Sequence, residues 1–312
     1  MKNISSIVIY RLLLLAKKEK SNKNFFKVKA YYNAVDKLEN LHGLYTINDV
    51  NNINGIGKHI REKIIKIMNT KRSLNNSKFD TNLYRDLLKI YGVGYKKANI
   101  LIDSGISSID DLYNKQFLLT KNQKIGLYYY NDLLKKICRH EMDNHYNYLS
   151  EIIHKLNPSK NIQYTITGSY IRGEKFSGDI DLLISCPSIL NKLIQYLIKD
   201  GYIQHTLALG QKKYMGIVKL KHYNTNRRFD IVSTTDDEYP FALLYFTGNK
   251  DLNIKLRQIA HKLGLKLNEK SLTNMTTNKK IILHSEKEIF NYLGFEYKSP
   301  RDRNNTILIP LK

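Results

Sequence analysis

Two aspartates, Asp179 and Asp181, stand two residues apart in the segment GDIDLLIS. The apolar residues that continue the segment predict a buried strand, and alternate side chains of a strand share a face, so we expect both carboxylates on one face. Paired hard oxygen ligands on a rigid element suit a divalent cation such as Mg²⁺. Gly168 and Ser169 precede them on a predicted turn, where backbone N–H groups and a hydroxyl can hold phosphate oxygens. A cation beside a phosphate cradle is what nucleotidyl transfer requires.

A third carboxylate lies in RRFDIVS (227–233), a second strand-like segment. Asp230 stands there among apolar residues, where a lone charge would be costly. If the two strands are neighbours, three carboxylates can hold two metal ions about 3.5–4 Å apart. An Asp-x-Asp pair alone is as often a solvated turn. The upstream Gly-Ser pair and the distant strand aspartate together favour a metal site.

The segment GSYIRGEKFSGDIDLLIS resembles the signature of the family X DNA polymerases, with the polymerase beta type the nearest likeness. The resemblance continues in the same order along nearly the whole chain, in NQKIGLYYY (122–130), RFDIVS (228–233), LLYFTGNKDLNIKLRQIA (243–260), LNEKSL (267–272) and EIFNYLGFEYKSPRDR (288–303). It implies template-directed addition of deoxynucleotides to a primer 3′-hydroxyl in repair gaps, with two Mg²⁺ ions, or Mn²⁺, on Asp179, Asp181 and Asp230.

The implied fold is α+β and multidomain. It comprises a helical N-terminal region with helix-hairpin-helix motifs, a nucleotidyltransferase-type palm with a mixed β-sheet, and a C-terminal α/β subdomain. The expected divisions are a lyase-like domain at 1–78, a second DNA-binding subdomain at 79–137, the palm at 138–234 and a nucleotide-selecting subdomain at 235–312. The segments 4–20 and 24–41 predict the first two helices. Residues 73–82 are polar and predict a linker.

An internal repeat supports the helical part of this interpretation. INGIGKHIREKIIKI (53–67) and IYGVGYKKANILID (90–103) each contain two glycines, and the pairs Gly55/Gly57 and Gly92/Gly94 are 37 residues apart. This pattern resembles the helix-hairpin-helix, in which glycines allow a tight turn and the next helix offers N–H groups to a DNA phosphate without reading bases. The resemblance also implies a monovalent cation, Na⁺ or K⁺, on the hairpin carbonyls.

Lys63 aligns with the family lysine that forms a Schiff base with an abasic-site sugar. Neighbouring cations favour the neutral, nucleophilic amine. Lys27 and Tyr31 align with residues that hold the 5′-phosphate and orient the lysine. Phe26 and His59 depart from the pattern, where the family has a histidine and a lysine. The alternative is that Lys63 is one solvated lysine on a basic helix.

The remaining site residues follow from the resemblance. The triphosphate contacts are Lys136, in place of an arginine, with Ser169, Arg172 and Gly178. The sugar and minor-groove contacts on the incoming nucleotide are Tyr245, Phe246, Gly248 and Asn253. The DNA contacts are Lys212, Lys213 and Arg228 at the primer, Arg257 at the template, and Lys27, Tyr31, His59 and the four hairpin glycines.

The composition agrees with a polyanion partner. The net charge is +23, which attracts gapped or nicked DNA and deoxynucleoside triphosphates. No apolar stretch approaches 20 residues, so a membrane role is not expected. Cys138 and Cys186 are too few for a disulfide framework, which predicts an intracellular compartment. We expect a monomer, with a repair ligase as a candidate partner.

Two other functions stay open at this point. The first is a template-independent terminal transferase. The resemblance implies that such enzymes have Gly-Trp at the position where this chain has Tyr245-Phe246. This chain contains no tryptophan. The second is a non-catalytic DNA-binding module that uses the two hairpins alone, against which the three aspartates argue.

Overall fold

A computed structural model describes residues 5–21, 24–39, 46–69, 81–158 and 162–311. The chain forms two compact units, Met1–Leu127 and Tyr128–Lys312. The predicted α+β multidomain class is confirmed. The finer division into four domains stays a prediction. Most of the predicted linker lies outside the described residues, and its last two residues, Thr81 and Asn82, begin a helix.

The described residues of the first unit form helices joined by turns, with no strands among them. Its helices are α1 (Ser5–Ser21), α2 (Phe25–Glu39), α3 (Ile47–Asn51), α4 (Lys58–Asn69), α5 (Thr81–Lys89), α6 (Tyr95–Asp103), α7 (Ile109–Asn114) and α8 (Lys121–Tyr128). The first two predicted helices are confirmed as α1 and α2. Val8, Leu12 and Ala16 recur every four residues along α1 and are fully buried, which gives the helix one apolar face.

The second unit is built around a five-stranded mixed sheet. Its helices are α9 (Tyr130–Leu133), α10 (Arg139–Leu156), α11 (Gly168–Ile171), α12 (Leu190–Lys199), α13 (Tyr239–Thr247), α14 (Lys250–Lys262) and α15 (Glu286–Tyr292). Its strands are β1 (Ile137–Cys138), β2 (Tyr164–Ile166), β3 (Phe176–Ser177), β4 (Ile180–Ile184), β5 (Ile203–Leu209), β6 (Lys213–Val218), β7 (Arg227–Ser233), β8 (Leu265–Leu267), β9 (Leu272–Asn274) and β10 (Lys280–Ile281). The sheet order is β2-β4-β7-β6-β5, with β4 and β7 parallel and the other pairs antiparallel.

Helices cover the sheet unequally on its two faces. The larger core joins α10 and α12 to one face, with Leu149, Leu193 and Phe229 among its buried members. On the other face, Tyr239 and Ala242 of α13 pack against Leu183 of β4. The C-terminal part has its own core, which joins α13, α14 and α15 to the antiparallel sheet β10-β9-β8.

No helix among the described residues is long and apolar enough to cross a membrane.

Gly216 of β6 leaves room for a buried tyrosine. A Cβ at this position would overlap the Tyr214 hydroxyl and lie 2.8 Å from the carbonyl oxygen of His205. We therefore expect Gly216→Ala to lower the free energy of unfolding by about 1–3 kcal/mol, the usual cost of overpacking. Gly210→Ala is the control, because its Cβ would meet only Lys213 O, at 3.7 Å. Urea unfolding of both variants checks this, and equal midpoints would contradict it.

A buried ion pair anchors the start of β7. Arg227 donates from Nε and Nη2 to the two carboxylate oxygens of Glu141, each at 2.7 Å, and from Nη1 to Lys135 O at 2.8 Å. His145 lies beside the pair, with its Nδ1 2.7 Å from the Tyr202 hydroxyl and its Nε2 3.8 Å from Glu141 Oε1. Because both charges are buried and paired, removing either one should cost about 3–5 kcal/mol.

His145 makes stability depend on pH. Burial lowers its pKa below the ordinary value, with nearby Arg227 acting in the same direction and Glu141 opposing it. The unfolded chain therefore takes up this proton first as the pH falls below about 6.5, so the stability present above that pH is lost toward acid. We expect His145→Gln to flatten the unfolding free energy between pH 6.5 and 5, by about 1.4 kcal/mol per pH unit at most. An unchanged slope in urea titrations would contradict this role.

Candidate active site

Asp181 and Asp230 are cross-strand partners. Asp181 is the second residue of β4 and Asp230 the fourth of β7, and their Cα atoms pair in the parallel register. Because the strands run side by side in register, the two side chains project from the same face of the sheet. Both aspartates line a cavity of about 160 Å³. Thr167, Lys213 and Phe246 line the same cavity.

The two carboxylates are held together at an electrostatic cost. Burial, and then repulsion from Asp230, raise the pKa of Asp181 to about 6. Burial also raises the pKa of Asp230, although the charges of Arg228 and Lys213 act against the rise. Asp230 Oδ1 is buried and has no hydrogen-bond partner among the described residues. Burying two acids together without full compensation is typical of functional sites.

Asp179 lies one residue before β4, and its carboxylate forms an ion pair with Arg228. Arg228 Nε is also 3.9 Å from Asp230 Oδ2. As the side chains stand, no group of three or more histidine, cysteine or acidic residues in the described ranges is placed to hold a metal ion. The pair Asp181 and Asp230 is thus assembled as predicted, whereas Asp179 is neutralised by an arginine.

The donor set nevertheless fits a divalent cation. Asp181 and Asp230 supply adjacent hard oxygen ligands, one of them the unpartnered Asp230 Oδ1. Burial raises the pKa of both carboxyl groups, and a bound cation would stabilise their ionised forms. Asp179 is two residues from Asp181 in sequence and joins the set if its carboxylate exchanges Arg228 for the cation.

Gly168 and Ser169, predicted to lie on a turn, form the first turn of the short helix α11, and Gly168 lies against Asp181. Gly168 has φ +65°, in the left-handed region that glycine adopts readily, and a Cβ here would come within 3.3 Å of Asp181 Oδ2. Thr167 N donates to Asp181 O at 2.8 Å, and Ser169 Oγ donates to Ser177 Oγ at 2.9 Å. The turn is therefore fixed to β4 beside the carboxylates.

Two basic residues predicted to contact the triphosphate lie near Gly178 and near the end of α13. Lys136 is exposed, and its Nζ is 4.0 Å from the position that a Cβ would take at Gly178. Arg172 follows α11 and donates from Nη1 to Thr247 O at 3.1 Å and from Nε to Asn304 Oδ1 at 3.2 Å. Arg172 thus contacts the end of α13, where the predicted sugar-binding residues lie.

The YFTG segment, residues 245–248, was expected to form a turn, but its first three residues end α13 and Gly248 caps the helix. Asn253 braces this helix end. Asn253 Nδ2 donates to Tyr245 O at 2.7 Å, and a Cβ at Gly248 would lie only 3.0 Å from Asn253 Oδ1. The Tyr245 and Phe246 rings meet edge to face at 5.0 Å, and the Arg257 guanidinium lies 4.9 Å from the Tyr245 ring centre. The structure thus places the predicted sugar and minor-groove residues in one cluster.

The predicted primer lysines differ in their surroundings. Lys212 Nζ forms an ion pair with Glu238 Oε2 at 2.8 Å. Lys213 begins β6 and lines the cavity next to the aspartates. Of the two, Lys213 is the one beside the carboxylates.

Lys63 lies in a separate cavity in the first unit. The cavity measures about 870 Å³, and its lining includes Phe26, Lys27, Tyr31, Gly55, Gly57, His59 and Lys63. Lys63 Nζ donates to the Tyr31 hydroxyl and lies 5.1 Å from the ring centre. Phe26 is 86% exposed, so an aromatic face is open at the rim. The structure brings together every residue predicted for the lyase site.

Several supporting residues were not predicted from the sequence. Arg139 donates to Tyr170 O and stacks 3.9 Å from the Tyr170 ring centre, while the Tyr170 hydroxyl donates to Asp143 Oδ1 at 2.8 Å. These contacts hold the turn that carries Ser169. Arg227 was also missed, although its alternation with Phe229 and Ile231 in RRFDIVS places it on the buried face. A basic residue at a position that alternation assigns to the buried face of the strand could therefore have indicated a buried ion pair.

A mixed sheet with paired aspartates beneath a Gly-Ser turn defines the palm of a nucleotidyltransferase. Four family models match the chain: a helix-hairpin-helix domain at 8–73, the fingers domain of DNA polymerase lambda at 85–134, the DNA polymerase beta palm at 136–236 and the DNA polymerase beta thumb at 242–304. The chain belongs to the family X DNA polymerases.

Individual relatives agree with this assignment. The chain is 27% identical to DNA polymerase lambda of Arabidopsis thaliana, an alignment that covers 88% of this chain and 57% of the relative. It is 26% identical to DNA polymerase lambda of Rattus norvegicus, covering 97% and 56%, respectively. It is also 27% identical to DNA nucleotidylexotransferase of Xenopus laevis, covering 89% and 62%. The chain spans less than two thirds of the length of each of these relatives.

Proposed function

We propose that this chain is a DNA-directed DNA polymerase that fills short gaps in DNA repair. The observation that carries the proposal is the in-register pair Asp181 and Asp230 on β4 and β7, with Gly168 packed against Asp181. The family membership and the net charge of +23 support it. A single chain with a palm for a primer 3′-end and a lysine cavity for a 5′-end suits gapped DNA.

In this proposal each residue has a separate role in nucleotidyl transfer. Ser169, Gly178 and Lys136 bind the triphosphate, and Arg172 spreads transition-state charge over its oxygens. The backbone at Gly248 approaches the sugar closely, and Asn253 and Arg257 contact the minor groove. Asp230 accepts the proton of the primer 3′-hydroxyl.

Asp179, Asp181 and Asp230 would hold two Mg²⁺ ions, with Mn²⁺ as the alternative. Bound there, the ions would lower the pKa of the attacking hydroxyl and neutralise the triphosphate. Arg228 must leave Asp179 for the third carboxylate to take part, and the primer backbone offers the phosphate that this guanidinium can bind instead.

The lysine cavity supports a second activity, removal of a 5′-deoxyribose phosphate. Lys63 Nζ would attack the sugar aldehyde, and loss of water would leave an imine. Loss of a C2′ proton to water would then break the C3′–O bond and release the strand with its 5′-phosphate, and hydrolysis of the remaining imine would free the lysine. The Tyr31 hydroxyl orients the amine, and Lys27 and His59 supply charge for the phosphate.

A template-independent transferase is the competing proposal. It is favoured by the match to a DNA nucleotidylexotransferase, whose identity equals that of the plant polymerase lambda. Tyr245 and Phe246 at the end of α13, in a chain without tryptophan, argue for the templated enzyme.

Primer extension on three substrates tests the proposal: a short gap with a 5′-phosphate, an open primer-template and a single strand. Rapid filling of the gap, slower extension of the open primer and no extension of the single strand are expected. Extension of the single strand at the rate of the gap would replace the proposal with the transferase. The intracellular compartment, the monomeric state and a ligase partner are also proposals.

A further inference from the structure

The two helix-hairpin-helix motifs match contact by contact at an offset of 37 residues. Gly55 and Gly92 have φ +80° and +79°. The carbonyl oxygen of each accepts a side-chain amide hydrogen bond, from Asn33 Nδ2 at 3.1 Å in the first hairpin and from Gln123 Nε2 at 2.8 Å in the second. The two turns therefore have the same backbone shape and the same type of support.

The following helices also begin alike. Arg61 N donates to Gly57 O at 3.1 Å, and Ala98 N donates to Gly94 O at 3.0 Å. Arg61 and Ala98 are thus the corresponding residues of the two motifs, 37 positions apart. They share a backbone role and differ completely in side chain.

The Arg61 side chain turns back onto its own hairpin. Its Nη2 donates to Ile53 O at 3.1 Å and to Ile56 O at 3.4 Å. Its Nε is buried, with no hydrogen-bond partner in the described part of the chain. In the second hairpin the corresponding carbonyls belong to Ile90 and Val93, and the methyl group of Ala98 has no charge to offer them.

Two carbonyl oxygens within reach of one nitrogen are also within reach of one bound cation. Backbone carbonyls are ligands for alkali ions. A guanidinium carries its charge at every relevant pH and is weakly hydrated, so it can remain at a partly buried site. A second positive charge at the same oxygens would be repelled. The monovalent cation expected at both hairpins therefore does not fit the first.

We propose that Arg61 is a built-in cation for the first hairpin, taking the place of an alkali ion on the carbonyls of Ile53 and Ile56. The first hairpin then keeps its shape whichever monovalent salt is present. Any dependence on K⁺ or Na⁺ comes from the second hairpin, where Ala98 replaces the arginine. This inference concerns ion binding and holds whether or not the proposed polymerase activity does.

Hydrogen exchange of the full chain, followed by mass spectrometry, tests the inference. Exchange is compared in potassium chloride and in tetramethylammonium chloride at equal ionic strength, because the organic cation is too large for the carbonyls. In the unaltered chain, α4 amides after Gly57 should exchange equally in both salts. Slower exchange in potassium would overturn the proposal, and this measurement needs no variant.

Arg61→Met keeps the aliphatic stem and removes the charge. In this variant, α4 amides should exchange about tenfold faster in tetramethylammonium, as expected for lost hydrogen bonds to a charged group, and potassium should restore their protection. Loss of protection that potassium does not restore would show only a packing role and would overturn the proposal, as would unchanged exchange. Lys58→Met, which removes an exposed charge at the start of the same helix, should give no salt-specific change.

Discussion

Asp230→Asn is expected to reduce the rate of gap filling by about 10³-fold or more. The variant keeps the shape of the side chain but removes one carboxylate from the pair with Asp181. It thereby removes a metal ligand and the acceptor for the 3′-hydroxyl proton, and cation stabilisation of the transition state is worth several kcal/mol. Single-turnover extension of a primer on gapped DNA measures the effect.

The same variant should be at least as stable as the unaltered chain. The raised pKa of Asp230 shows that its ionised form is unfavourable in the fold, and its charge also raises the pKa of Asp181 after burial. Losing activity while keeping or gaining stability is typical of a residue retained for function. Asp237→Asn, on the exposed loop after β7, is the matched control and should extend normally. Equal extension by both variants would refute the catalytic assignment.

Lys63→Ala is expected to reduce strongly the covalent trapping on a 5′-deoxyribose phosphate substrate. Borohydride reduces the imine between the lysine and the sugar, so the amount of trapped complex directly measures attack by the lysine. Without the Lys63 amine we expect a decrease of about 10²-fold or more, the lower end of the contribution of a positioned catalytic group. Gap filling by the palm should be unaffected when the substrate carries a plain 5′-phosphate.

Two further variants test whether this result is specific to the Lys63 site. Lys29→Ala removes the same charge from α2 outside the cavity lining, so its trapping should be normal. Tyr31→Phe keeps the buried ring and removes the hydroxyl bonded to Lys63, so we expect slower trapping of the same adduct. Undiminished trapping by Lys63→Ala would move the nucleophile to another residue.

The sequence predicted the central pair well because the pattern was local. Asp181 and Asp230 each stand in a strand-like run that is otherwise mostly apolar, and alternation fixed which face each would take. The parallel register between them depends on long-range packing, which no local pattern contains. The sequence therefore proposed that the strands were neighbours, and the structure supplied the alignment.

Side-chain pairing was the less predictable part. Arg228 was assigned to the primer, and nothing in RRFDIVS indicated that its guanidinium would reach Asp179. The repeat pattern predicted both hairpins, but the direction of the Arg61 side chain depends on where the turn carbonyls point. Contacts of this kind are set by tertiary geometry, so the individual site residues stay predictions until tested.

The strand order affects how the mixed sheet forms during folding. Strands β5, β6 and β7 form a simple meander of near neighbours in sequence, whereas β4 joins β7 across an intervening helix and two strands. Pairings between distant segments close slowly because more chain entropy must be lost first. Asp181 and Asp230 are brought together by this long-range pairing. A chain still being synthesised therefore lacks the pair Asp181 and Asp230 until residue 230 has been made and β7 can align with β4.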